Sequence, residues 1–285
     1  MKLKKILMAA LALTVAAASM VGCTKKESEN ITVISREEGS GTRGAFVELL
    51  KIEEKDENGN KVDRTILEAV IAQGTDVVLT QVSNNKNAIG YISLGSVKDS
   101  IKVLKINGVD ATAENVKNGT YPVARPFNIA TKGDVSEVAQ DFIDFIMSKE
   151  GQAVVGKSYI SIDDNAPAYS GTKPSGKVVV AGSSSVTPVM EKLKEAYAAV
   201  NPNAEIEVQM SDSTAGMQAA IDGICDIGMA SRELKDSEKE KLNGLAIALD
   251  GIAVIVNKEN SLSDISSENV KKIYIGEIKS WSDLK

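Results

Sequence analysis

Apolar runs alternate with amphipathic stretches along this chain, and the hydrophobic period switches repeatedly between that of a strand and that of a helix. Residues 31–34 are β-branched or apolar, as a strand requires, and 42–50 follow with helical spacing. Residues 55–63 are polar with an Asn-Gly pair and predict a loop or hairpin tip. Residues 67–71 read as a short helix or loop, and 75–82 as either a strand or a helix. Residues 88–94 form a buried-strand pattern in which Gly90 permits close backbone approach. Beyond it, 101–106 alternate like a strand, 112–118 predict a short helix capped by Thr112, and 121–130 are extended and interrupted by two prolines. The stripe Val138, Phe142, Phe145 and Ile146 predicts one amphipathic helix over 136–151. Residues 163–176 (DDNAPAYSGTKPSG) read as a linker. Strand patterns then recur at 177–181, 204–210, 226–230 and 245–256, with helices running to about Val200 and Ile221. Strands alternating with helices predict an α/β fold built on parallel strands.

The turns between these elements carry the candidate chemistry. After the first strand come Arg36, Glu37, Glu38 and Gly39-Ser40-Gly41-Thr42, leading into a helix. A strand that turns on glycine into a helix leaves backbone N–H groups pointing out of the helix start. With hydroxyls and an arginine beside them, these make a site for a small oxyanion. The arrangement recurs at Ser184 and Ser185, at Ser213 and Thr214, and at Ser231 and Arg232. One such turn is explained by helix capping alone, but serines in succession on several turns favour a ligand at the carboxyl ends of parallel strands. No Gly-Lys-Ser/Thr phosphate loop is present. Arg43 is expected on the helix exterior. Arg125 either braces an interface between domains or lies exposed beside an edge strand.

Composition narrows the function further. A net charge of -6 gives no basic footprint for nucleic acid, yet local donors still hold an anion in an acidic protein. The absence of histidine removes the usual triads and most zinc sites, so neither catalysis nor a metal is expected. The two cysteines, Cys23 and Cys225, are not spaced as a metal motif, and Cys225 reads as a small buried hydrophobe. Residues 1–22 have a basic start and an alanine-rich apolar centre, predicting a leader. The leader ends Met20-Val21-Gly22-Cys23, which resembles the lipobox of bacterial lipoproteins. That resemblance implies lipid attachment at Cys23, with residues 23–30 as a tether outside the cytoplasm.

Four segments together carry a second resemblance: 178–188 (VVVAGSSSVTP), 226–235 (DIGMASRELK), 250–257 (DGIAVIVN) and 34–43 (ISREEGSGTR). They are similar to the phosphate-binding component of bacterial phosphate ABC transporters, over nearly all of residues 31–285. The resemblance implies a two-lobed, Venus-flytrap, periplasmic-binding-protein-like type II fold that takes inorganic phosphate, with no cofactor, and delivers it as a monomer to a membrane permease. In that family the segment like 34–43 comes last, whereas here it comes first, so the chain resembles a circular permutant with residues 163–176 joining the family's ordinary ends. The lobes implied are 31–99 plus 256–285, and 100–255. The matching ligand contacts are Arg36, Ser40, Gly41, Thr42, Ser184, Ser185, Ser213 and Ser231, with Glu38 steadying the arginine. Ser231 stands where well-known members carry an aspartate that accepts the phosphate hydrogen, which leaves either Asp212 or Glu38 as a replacement acceptor or a weaker discrimination against sulfate. A related oxyanion-binding or phosphate-sensing surface lipoprotein is the alternative reading, and a phosphoryl-processing enzyme is a more distant one.

Overall fold

Nine strands join into a single sheet among the residues that the computed structural model describes, 30–57 and 60–284. The expected leader, Cys23 and most of the tether lie outside those residues, as does the Asn58-Gly59 pair. In chain order the strands are β1 (Thr32–Arg36), β2 (Glu53–Lys55), β3 (Lys61–Asp63), β4 (Val70–Ala72), β5 (Ala88–Ser93), β6 (Ile101–Val103) and β7 (Lys105–Ile106). They continue as β8 (Ala124–Thr131), β9 (Gly176–Ser183), β10 (Ala204–Ser211), β11 (Ile227–Ala230), β12 (Asn243–Asn257) and β13 (Asp264–Ile265). The helices are α1 (Gly41–Leu49), α2 (Thr75–Asn84), α3 (Ala113–Lys117), α4 (Glu137–Met147), α5 (Lys149–Val155), α6 (Thr187–Val200), α7 (Ser213–Asp222), α8 (Asp236–Lys239) and α9 (Ser267–Tyr274).

The sheet runs β10-β9-β11-β8-β12-β5-β1-β4, with β6 also on β12. The long β12 joins its two halves: residues 243–251 pair with β8, and 252–256 pair with β5. Each half has its own core. Phe127, Phe142, Phe145, Val178, Leu193, Tyr197 and Ile227 pack together on one side of the crossing. Phe46, Ile89, Tyr91, Val254, Ile273 and Tyr274 pack on the other. Since β1 is parallel to β4 and β5, and β9 is parallel to β10 and β11, each half turns the carboxyl ends of its parallel strands into helix starts.

Several sequence expectations change. The passage between halves expected near residue 100 lies near 124, because Leu104, Ile106, Val116, Tyr121 and Val123 share their core with Val33 and Phe46. Residues 75–82 belong to helix α2, while 70–72 are an edge strand beside β1. The single helix expected over 136–151 is two, α4 and α5. Ser148 adopts an extended backbone between them and accepts from Gly151 N, starting a new helix by capping it.

Residues 163–175 contain no regular element, yet they are strapped down. Asp141 accepts from Tyr169 Oη at 2.5 Å, Tyr197 Oη at 2.6 Å and Thr172 N at 3.0 Å, and Asn201 donates to the Pro174 carbonyl. A buried carboxylate whose acceptor positions are filled fixes the path of the chain without a hydrophobic element. At the other extreme of the described chain, Ile31 N donates to Lys279 O at 2.8 Å and Asn30 bridges Ser280.

Candidate functional site

The carboxyl end of β1 is held rigidly before any ligand group is reached. Phe46 from α1 stacks on Tyr91 of β5, with centroids 3.9 Å apart and planes at 11°. The Tyr91 hydroxyl accepts from Arg36 N at 3.1 Å and pairs with Ser35 Oγ at 2.9 Å. Burial pushes that phenol up to about 12. Tyr274 of α9 donates to the Ile34 carbonyl at 3.0 Å. Arg36 therefore leaves the sheet from a fixed backbone.

Its guanidinium is buried and clamped by Glu37, Nε to Oε2 at 2.8 Å and Nη2 to Oε1 at 2.5 Å. Glu37 also accepts from Gly74 N at 3.1 Å. The carboxylate that steadies the arginine is thus Glu37, and the expected Glu38 is exposed. Burial would raise the Glu37 carboxyl, but hydrogen bonding and the charge of Arg36 hold it below its ordinary value of 4.5. Its contribution to stability is therefore complete above about 4.5 and is lost as pH falls through the lower folded value. Urea unfolding midpoints are expected to stay level on the neutral side of that value and to decline below it, with a shallower decline in Glu37→Gln. An unchanged acid limb in that variant would remove the pair from the account.

The two halves meet at hydroxyls. Arg36 Nη2 donates to Ser184 Oγ at 3.0 Å, and Thr42 Oγ1 lies 2.9 Å from Ser185 Oγ. Thr75, the first residue of α2, places its hydroxyl 3.3 Å from Ser185 Oγ and 3.5 Å from both Ser184 Oγ and Arg36 Nη1. Beyond Ser185, whose N–H donates to Ser183 Oγ at 3.2 Å, Ser183 donates to Ser231 Oγ at 2.9 Å. Ser231 N in turn donates to Ser213 Oγ at 3.1 Å. Arg36, Thr42, Thr75, Ser183, Ser184, Ser185, Ser213 and Ser231 are all buried. They form one continuous polar cluster fed by the starts of α1, α2 and α7, where the first N–H groups have no acceptor within the helix.

Of the residues expected here, Arg36, Thr42, Ser184, Ser185, Ser213 and Ser231 come together. Ser40 is the N-cap of α1 and accepts from Arg43 N at 3.3 Å, which leaves its own proton to donate. Gly41 lies against Ser213, Ser231 and Arg232 of the opposite half. Ser184 and Ser185 do not cap α6, whose N-cap is Val186 without a side-chain bond, so the capping explanation fails for them. Asp212 caps α7 by accepting at Oδ1 from Ala215 N at 2.8 Å, and its carboxylate lies against Gly39. Arg43 reaches Asp63 and the Arg36 carbonyl, away from the cluster. Arg125 is buried and paired with Asp250, not exposed.

Thr75 and Ser183 were not among the expected site residues. Gly74-Thr75 repeats the glycine, hydroxyl, helix order, but the apolar run after it concealed a helix start. A separate open groove of about 1220 Å³ lies beside α4 and is lined by Asp134, Glu137, Asp141, Asp144 and Asp163. Acidic walls make it unsuited to an anion. Among the described residues no cluster of carboxylate or thiol groups suits a metal.

Comparison with known proteins points the same way as the cluster. Residues 20–150 and 167–285 match the PBP superfamily domain. The chain is 52% identical over 272 residues to phosphate-binding protein PstS 2 of Streptococcus agalactiae serotype V, covering 93% of this chain and 92% of that one. It is 32% identical to phosphate-binding protein PstS of Bacillus subtilis over 141 residues, 48% of this chain and 44% of that one. The crystal structure of a phosphate-binding protein of a phosphate ABC transporter from Streptococcus pneumoniae TIGR4 superposes with a TM-score of 0.72 at 46% identity, covering 90% of this chain and 100% of that one.

Proposed function

The chain belongs to the PBP superfamily and, within it, to the phosphate-binding PstS proteins, and on that premise we propose that it captures inorganic phosphate between its two lobes and delivers it to an ABC permease. One observation carries the reading: buried hydroxyls from both lobes close around the fork of Arg36, with Arg36 Nη2 on Ser184 at 3.0 Å and Thr42 on Ser185 at 2.9 Å. Arg36, Ser40, Thr42, Thr75, Ser184, Ser185, Ser213 and Ser231, with the N–H of Gly41, are the phosphate ligands on this reading. Arginine contributes a charge-assisted bond and the hydroxyls rotate to donate or accept. Each lobe alone offers an incomplete donor set, so closure and binding are one event. The acceptor for the phosphate hydrogen is then a hydroxyl such as Ser231, and the neighbouring Glu37 carboxylate is paired with Arg36.

The motif order is that of a circular permutant. Supporting this, the match to the Streptococcus agalactiae relative runs nearly end to end, while that to the Bacillus subtilis relative stops at about half of each chain. The pairing of residues 30 and 31 with 279 and 280 would let the chain be rejoined there. The lobes on this reading are 31–123 plus 252–284, and 124–251. Anchoring through a lipid on Cys23, an extracytoplasmic location and a monomeric state complete the proposal. No described helix is long and apolar enough to cross a membrane.

Calorimetric titration of the lipid-free protein with phosphate, arsenate, sulfate and molybdate tests the reading. Phosphate is expected to bind tightly, with sulfate competing more weakly, and phosphomonoesters are expected to show no turnover above background. No heat with phosphate at micromolar protein would sink the proposal.

A further inference from the structure

Arg125 touches none of the clustered hydroxyls, yet it joins them to the strand crossing. It sits on β8 opposite Asp250 of β12, and two residues further along β12 the pairing passes to β5 of the other lobe. Nη2 donates to Asp250 Oδ2 at 3.1 Å, and Nη1 donates to the Ser231 carbonyl at 2.9 Å. Asp250 also accepts at 3.5 Å from Gly95 N, immediately beyond β5. Asn128, further along β8, donates to the Arg232 carbonyl at 2.8 Å. Two β8 side chains therefore hold consecutive carbonyls of the loop, and its Ser231 N–H is turned onto Ser213 Oγ.

Stability alone accounts poorly for this pair. Both side chains are at most 2% exposed, and Arg125 Nε has no hydrogen-bond partner. A buried ion pair with an unsatisfied donor costs desolvation that well-packed apolar residues at the same positions would avoid. What an apolar pair lacks is the fork that reaches a strand and a loop at once.

We propose that Arg125, fixed by Asp250 at the strand crossing, is a positioning residue that sets the Ser231 loop in the conformation that closes on the anion. The inference rests on the phosphate-clamp reading of Ser213 and Ser231.

The test uses the full chain with Arg125→Lys and Asp250→Asn, measuring phosphate affinity by calorimetry and amide exchange of the Ser231–Arg232 segment in ligand-free protein. Lysine keeps the charge but cannot bridge both acceptors. Arg125→Lys is expected to weaken phosphate binding by about tenfold or more and to raise exchange locally at residues 231–232, with the β9 and α4 amides unchanged. Asp250→Asn is expected to do the same more mildly, and it serves alone if the lysine variant does not fold. Affinity within about twofold of the unaltered chain, or exchange raised uniformly across the lobe, would overturn the proposal. Failure of the unaltered chain to bind phosphate would instead remove the clamp, and the local exchange pattern would still judge the strut.

Discussion

Arg36→Met is expected to weaken phosphate binding by about a thousandfold or more, the largest loss of any single substitution in the cluster. Two effects add. The variant loses the charge-assisted bonds of the guanidinium, worth about 1.5–3 kcal/mol each. It also leaves the Glu37 carboxylate uncompensated beside the anion, a repulsion that the unaltered chain does not have, while the roughly 3–5 kcal/mol cost of breaking the buried ion pair falls on folding. Glu37 forms both of its short bonds with Arg36, and its remaining bond to Gly74 N does not neutralise it. The stranded carboxylate then stands behind the anion. Two such bonds, about 4 kcal/mol together, already give a thousandfold. Arg36→Lys is expected to fall between, since it keeps the charge but not the fork shared by Glu37 and Ser184. Calorimetry on both variants checks this, and a loss below tenfold for methionine would show that the charge is supplied elsewhere.

Gly41→Val is expected to cost about a hundredfold in phosphate affinity while leaving the ligand-free protein as stable as before. A Cβ at Gly41 would overlap Ser213 Oγ, and would lie 2.9 Å from Ser231 Oγ and 3.1 Å from Arg232 Cγ. All three belong to the opposite lobe. Gly41 is the first residue of α1, and it is not among the glycines with positive φ, so its own backbone tolerates a side chain. Overpacking costs roughly 1–3 kcal/mol, and here it falls on the closed arrangement alone. Gly41→Ala should show a smaller effect of the same kind. Small-angle scattering with and without phosphate reads the outcome: the unaltered chain contracts, and the valine variant does not. Contraction of the valine variant at near-normal affinity would rule out Gly41 as a closing contact.

Much of this was legible in the residues because it depends on local rules. The first strand, the capped helix after it and the hydroxyls at the turns follow from β-branching, glycine placement and helix-start chemistry, and β1, α1 and β9 fold accordingly. The choice between Glu37 and Glu38 was not legible. β1 ends at Arg36, so Glu37 lies beyond the region where alternation decides which side a residue faces, and it folds back onto its neighbour. Thr75 was hidden because its value comes from two serines more than a hundred residues away, Ser184 and Ser185.

Legible in the residues alone were an α/β chain, several glycine- and serine-bearing turns and an arginine beside the first of them. Only the folded chain shows which turns share a cluster, that Arg125 is buried against Asp250, and that Leu104, Ile106, Val116, Tyr121 and Val123 share a core with Val33 and Phe46. The reason is physical. Backbone propensity and hydrophobic period act over a few neighbouring residues, whereas charge pairing, strand crossing and contact between lobes depend on where the folded sheet brings distant residues together.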